Sequence, residues 1–181
     1  MLHVPNLLLI SGNGRDTGKT TFACELIRHF CKELDITGIK ISPHFHELTE
    51  YDEVIYSDDV TVLTRERNTS SGKDSSRMLH SGAKDVIYIQ VMDKTLHTAV
   101  KKLAPVWESR RPIICESGGL INYLRPGLFF MLHRTAISKQ GSTDPHHNLV
   151  DRWINIHEQN YDFDIESIGF SNKRWYLNNN K

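Results

Sequence analysis

"SGNGRDTGKTTF", Ser11 to Phe22, decides how the rest of the chain is read. The usual phosphate-binding loop is a glycine, four residues, then Gly-Lys-Ser/Thr. Counted back from Gly18, that spacing puts Asn13 where the first glycine belongs. Counted from Gly12, the loop is complete but one residue longer, with five residues before Gly18-Lys19-Thr20. The flanks fit this second reading. "NLLLIS" (6–11) is a short, continuous apolar run, as in a strand buried on both faces. "TTFACELIRHFCKEL" (20–34) repeats apolar residues at helical period through Phe22, Ala23, Leu26, Ile27, Phe30, Cys31 and Leu34.

A loop between such a strand and helix suits phosphate chemistry. Gly12, Gly14 and Gly18 allow tight turns that aim backbone N–H groups at phosphate oxygens, and the helix N-terminus adds partial positive charge. Lys19 is expected to reach the β- and γ-phosphates and Thr20 to offer its hydroxyl to magnesium. Asn13, Arg15, Asp16 and Thr17 complete the loop and Thr21 follows it, so Gly12 to Thr21 is the candidate nucleotide-binding segment. The alternative is a glycine-rich strand-to-helix turn with a Lys-Thr start.

The bulk properties narrow the class. A chain of 181 residues with 39% hydrophobic and 24% charged residues is long and apolar enough for one folded domain, expected over 1–181 with a frayed tail from 176. Lys plus Arg and Asp plus Glu both number 22, a balance that gives no support for nucleic-acid binding. Cys24, Cys31 and Cys115 cannot all pair and sit in apolar patterns, which fits a reducing compartment. No apolar run approaches the roughly 18–20 residues of a membrane span, and "MLHVPNLLLI" lacks a cleavable leader pattern, so a cytoplasmic protein is expected.

Beyond the first helix, "TGIKIS" (37–42) is a second short strand, completing a strand–helix–strand start with a parallel sheet implied. "DEVIYSDDVTVLTRER" (52–67) is expected to be a hairpin around Ser57-Asp58-Asp59, and "NTSSGKDSS" (68–76) a polar loop. "DSSRMLHSGA" (74–83) predicts a short helix capped by Asp74 or Ser75. Further strands are expected at 85–91, 111–117 and 127–133, an amphipathic helix within 94–109 that ends near Pro105 or shortly after, a helix at 147–160 and a last strand at 163–170. The fold expected is three-layer α/β, with a mostly parallel sheet, helices on both faces and a β-hairpin inserted after the second strand.

Two further residues belong with the loop. Glu116 directly follows the apolar run Ile113-Ile114-Cys115, where a second acid at a strand end would approach magnesium; a solvated strand-end glutamate is the alternative. Lys40, near the end of the second strand, can point to the phosphates across the crevice. Thr20 and Glu116 are thus the candidate metal ligands, and Lys19, Lys40 and Glu116 the candidate catalytic groups. His44 and His46 could hold a metal if their segment is extended, though such histidines are more often plain loop residues.

The longer loop resembles those of dethiobiotin synthetase and cobyrinic acid synthetase. "ESGGL" (116–120) resembles the Glu-Gly-x-Gly-Gly element of the former, with Ser117 in place of glycine. "GIKISPHFH" followed by "GKDSSRMLHSGAKDVIYI" resembles the molybdopterin-guanine dinucleotide biosynthesis protein B family through Lys40, His44, Gly72, Lys73, Asp74, Ser75, Arg77, Gly82 and Ala83. With the phosphate loop, the resemblance spans roughly Asn6 to Arg134. It implies a P-loop NTPase fold and a homodimer that binds GTP with magnesium and assists attachment of a guanine nucleotide to molybdopterin, beside a guanylyltransferase partner. Asp74, Ser75 and Arg77 map to that family's second polar motif, and Lys73 and Arg77 on a loop beside the phosphates could bind an anion, so Lys73, Asp74, Ser75 and Arg77 join the candidate nucleotide-binding residues; local capping of a helix is the other reading of Asp74 and Ser75. Ile41 and Pro43 replace two of that family's histidines, and "ESGGLINYLRPGLFFML" departs from its Glu-Gly-Phe-Lys pattern, so the resemblance is to a divergent relative.

Base choice between GTP and ATP is poorly marked. Asn172-Lys173 starts an Asn-Lys-x-Asp-like string, but Trp175 replaces the acid, so these residues do not support GTP preference and a strand-end turn is the favoured reading. Three functions follow: an accessory protein of molybdenum cofactor maturation with slow NTPase activity; an ATP-dependent ligase of the dethiobiotin synthetase type; or a nucleotide-gated switch in which Asn68–Ser76 orders around the γ-phosphate. In this P-loop group the loop tip can face a second subunit, so Arg15 and Asp16 are expected to act across a dimer interface.

Overall fold

The computed structural model describes residues 1–14, 17–134, 146–157 and 160–178. Eleven strands and four α-helices alternate in this part of the chain. Strand β1 (Leu2–Gly12) leads through the glycine loop to α1 (Lys19–Phe30) and β2 (Thr37–Ser42). The hairpin β3 (Asp52–Ser57) and β4 (Thr61–Glu66) comes next, then α2 (Asp74–His80) and β5 (Asp85–Val91). Helices α3 (Leu96–Lys102) and α4 (Ala104–Trp107) precede β6 (Ile113–Glu116) and β7 (Leu124–Arg134). Last come β8 (Arg152–His157), β9 (Asn160–Tyr161), β10 (Ile168–Ser171) and β11 (Arg174–Leu177).

Nine strands form one mixed sheet in the order β3-β4-β5-β2-β6-β1-β7-β8-β9. The six from β5 to β8 run parallel, and β3, β4 and β9 are antiparallel margins. The hairpin expected after the second strand therefore extends one side of the sheet. Period-two alternation divides the central strands between two cores. Leu7 and Leu9 of β1 join Ile39, Ile89, Cys115 and Phe129 beneath α3 and α4. Leu8 and Ile10 join Phe22, Leu26, Ile27, Met78 and Phe130 on the side of α1 and α2. Helices thus cover both faces of the sheet, as expected. Each such fully buried side chain contributes about 1.5–3 kcal/mol relative to exposure. Cys24 and Cys115 are buried within these layers, and burial above all raises both thiols above the ordinary value.

The C-terminal third departs from expectation. The segment 147–160, expected to be helical, has a 3₁₀ turn at His147–Leu149 and then β8, parallel to β7. The reason is legible in "RWINIH": Ile154 and Ile156 are buried and alternate with more exposed neighbours, which suits a strand beside the core rather than a helix. The expected strand at 163–170 begins only at Ile168, after a 3₁₀ turn at Ile165–Ser167. It pairs with β11 in a separate antiparallel ribbon. Tyr176 and Leu177, expected in a frayed tail, lie in β11. Trp175 anchors this ribbon: its ring packs on Phe30, and its indole N–H donates to the carbonyls of Asn6 and Ile113.

Among the described residues, no helix is long and apolar enough to cross a membrane.

Candidate functional site

Parallel register builds the site. Glu116 at the end of β6 pairs with Ile10 of β1 on one side and Lys40 of β2 on the other. Lys40 in turn pairs with Tyr88 of β5. Residues directly opposite each other in a sheet share a face. Ile10, Glu116, Lys40 and Tyr88 therefore form one row on the α1–α2 side, close to where β1 gives way to the glycine loop.

The loop then brings the start of α1 to this row. Gly18 takes the N-cap position with φ 76°, in the left-handed region, and no side chain caps the helix. The first N–H groups of this 12-residue helix have no partner within the helix. The close fit at Gly12 explains its identity: a Cβ there would lie 2.8 Å from Thr17 Oγ1 and 2.9 Å from the Leu132 carbonyl oxygen. Lys19 folds over the loop, its Nζ donating to the Gly14 carbonyl and to Thr17 Oγ1 at 2.9 Å.

Four side chains meet beside the loop. The Thr20 hydroxyl donates to Glu116 Oε2 at 2.6 Å, and Lys40 Nζ donates to Glu116 Oε1 at 2.6 Å. Lys40 also contacts Asp74 Oδ2 at 2.7 Å, at the start of α2. Arg77, one turn further along α2, donates to Thr21 Oγ1 at 3.0 Å and lies 3.6 Å from Asp74. Burial works against the Lys40 charge, but Glu116 and Asp74 outweigh it, so its pKa is raised. Burial likewise favours a neutral Asp74, but Lys40 outweighs it and holds the carboxyl below its ordinary value.

These residues line an open cleft of 840 Å³ over the C-terminal ends of the parallel strands, with Lys73 and Tyr88 at its walls. Four cationic side chains, Lys19, Lys40, Lys73 and Arg77, face it against two carboxylates, Asp74 and Glu116. Uncapped helix N–H groups and net positive charge make it suited to a polyanion. Thr20 and Glu116 are both nearly fully buried, and Asp74 lies within their hydrogen-bonded cluster. These hard oxygen donors fit magnesium, which commonly takes one or two protein ligands and completes its shell with phosphate oxygens and water.

Most residues expected at the site are gathered here: Gly14, Thr17, Gly18, Lys19, Thr20, Thr21, Lys40, Lys73, Asp74, Ser75, Arg77 and Glu116 all line the cleft. Gly12 supports the loop from beneath. Asn13 turns the other way, its N–H donating to the Leu132 carbonyl as β1 continues along β7. Arg15 and Asp16, and the role expected for them between subunits, lie outside the described residues.

Asn172 is not brought to the cleft. It forms the β10–β11 turn with Lys173, at φ 49° and 61°, a geometry that hairpins of this kind require. Its ribbon is fastened through Trp175 to Asn6 and Ile113, at the opposite ends of the strands. Asp74 and Ser75 do not cap α2 either; the N-cap is Lys73, without a side-chain bond. The Asp74 carboxylate goes to Lys40, while the Ser75 hydroxyl donates to the buried Glu66 at 2.7 Å. His44 and His46 line the cleft, but no group of three His, Cys, Asp or Glu side chains is placed to hold a metal among the described residues.

Two residues escaped the sequence reading. Tyr88 faces the cleft and its hydroxyl is raised in pKa chiefly by burial. Glu66 accepts from Ser75 and from the Asn68 N–H, fixing the loop before α2. The signal for Tyr88 was its place in "DVIYIQV", a hydroxyl-bearing residue inside a largely apolar strand run. Comparison with protein-family models, curated proteins and solved structures found no match.

Proposed function

We propose that this chain is a P-loop nucleotide-binding protein that takes GTP or ATP with magnesium and hydrolyses it slowly. The observation that carries the reading is the meeting of Lys19, Thr20, Lys40, Asp74 and Glu116 in one cleft at the uncapped start of α1. The order of the parts supports it: strand, glycine loop, helix, then an acid at the end of the adjacent strand β6. Together these are the parts of a P-loop NTPase fold.

Each residue has a role in this reading. The N–H groups at the start of α1 receive phosphate oxygens, and Lys19 leaves the Gly14 carbonyl to meet the terminal phosphates. Thr20 and Glu116 would hold magnesium, which would supply positive charge against those phosphates. Lys40 and Arg77 place positive charge where phosphoryl transfer would concentrate negative charge. Glu116 is already engaged by Thr20 and Lys40, which leaves it poorly suited to activate water and accounts for slow hydrolysis.

The biological role follows from the resemblance to the molybdopterin-guanine dinucleotide biosynthesis protein B family. It is that of an accessory protein in molybdenum cofactor maturation, homodimeric and acting with a guanylyltransferase. A second reading, a ligase of the dethiobiotin synthetase type, is favoured by a smaller cavity that opens from the same cleft. Titration calorimetry with GTP and ATP, with and without magnesium, tests the proposal. Magnesium-dependent binding of either supports it, and preference for GTP favours the accessory role. Binding of neither overturns it.

A further inference from the structure

The smaller cavity, of 350 Å³, shares Ile41, Pro43, Ser117 and Gly118 with the phosphate cleft and continues past them to Asp93, Asn122 and Tyr123. Its volume is at the lower end of the range for small-molecule pockets. Its charge is opposite to that of the cleft: no lysine or arginine lines it, and Asp93 is its one carboxylate. Two adjoining compartments of opposite sign are what a nucleotide and a second, cationic molecule would need.

Two exposed side chains at the cavity's rim, Asp93 and Asn122, offer acceptor oxygens. Asp93 follows β5 at the start of a 3₁₀ turn, and the Tyr123 hydroxyl donates to its backbone carbonyl at 3.1 Å. Its carboxylate lies over Gly119, where a Cβ would come within 3.3 Å of Oδ1. Asp93 is exposed, and among the described residues its carboxylate has no hydrogen-bond or ion-pair partner. Asn122 spends an amide N–H on the Gly119 carbonyl at 3.0 Å, which leaves its oxygen to accept. Ile41, Pro43 and the Tyr123 ring supply apolar contact.

We propose that this cavity binds a small primary amine, its ammonium on Asp93 and Asn122 and its carbon skeleton against Ile41, Pro43 and Tyr123. A carboxylate meets an ammonium through charge-assisted hydrogen bonds, whereas an anion of the same shape meets like charge. Such an amine would lie beside the terminal phosphate, and that placement alone rests on the nucleotide reading.

The test uses the full chain without nucleotide and a matched pair of probes, tyramine and 4-hydroxyphenylacetate, followed by saturation-transfer NMR and titration. Saturable binding of tyramine but not of the acid is expected. Asp93→Asn should weaken tyramine about tenfold at an unchanged melting temperature, and Asp93→Lys should abolish it. Equal binding of both probes, no binding of tyramine, or unchanged affinity in Asp93→Asn would overturn the proposal. Magnesium nucleotide titrated separately into Asp93→Asn should bind as to the wild type. A wild-type chain that binds tyramine through Asp93 but no nucleotide would sink the nucleotide reading and leave the amine site standing.

Discussion

Lys40 and Glu116 sit opposite each other in adjacent parallel strands, and the ammonium meets the carboxylate at 2.6 Å. The side chains are only 15% and 4% exposed, so neither charge is well hydrated on its own. Lys40→Met would strand Glu116 as a buried carboxylate with one partner fewer. A loss of about 2–4 kcal/mol of stability is expected in urea unfolding. An unchanged midpoint would show that Glu116 does not depend on Lys40.

Asp74 gives the same cluster a pH signature. Its carboxyl is held below the ordinary 3.8, so its contribution is present above that value and lost as pH falls through the lower folded one. Lys40 is raised above 10.5, so its contribution is present below that value and lost only as pH rises beyond it. The stability difference between wild type and Asp74→Asn should therefore be flat from about pH 5 to about pH 9 and shrink in stronger acid. Unfolding midpoints across that range check it; a gap that widens in acid would contradict the assignment.

Ser75 acts on the cleft through Glu66. Ser75→Ala removes one of the donors to a carboxylate that is almost fully buried. A loss of about 1–2 kcal/mol is expected in denaturant unfolding, with weaker nucleotide binding because α2 carries Asp74 and Arg77. Thermal and denaturant midpoints equal to those of the wild type would place the Ser75 hydroxyl outside the structural framework.

The β10–β11 ribbon should separate stability from binding. Trp175→Phe loses the indole N–H shared by the Asn6 and Ile113 carbonyls, at a cost of about 1–2 kcal/mol. Asn172→Gly keeps the turn's positive φ. Both should leave nucleotide affinity as it is, and a tenfold loss in either would return the ribbon to the binding site.

Where sequence and structure agree, a short-range pattern carried the information. The apolar run 6–11, the glycines and the stripe from Phe22 to Phe30 each fix a local conformation, and their order places the loop at a strand end. Glu116 was legible because it ends an apolar run, and Lys40 because it is a charge near the end of a short apolar strand. Their direct contact was not, since strand order β2-β6-β1 is a long-range property. The strand at 152–157 was missed because two buried isoleucines in six residues make a weak signal beside a helix-like flank. Glu66 was invisible for a different reason: its partner Ser75 is reached only when α2 packs back over β4.

Calorimetry of wild type and Lys19→Ala with magnesium nucleotide tests the central claim most directly. Saturable binding to the wild type, weakened at least about thirtyfold by the substitution while the fold is retained, is the result predicted from losing a charged phosphate contact. Absence of binding to the wild type, or equal affinity in the two proteins, would contradict it.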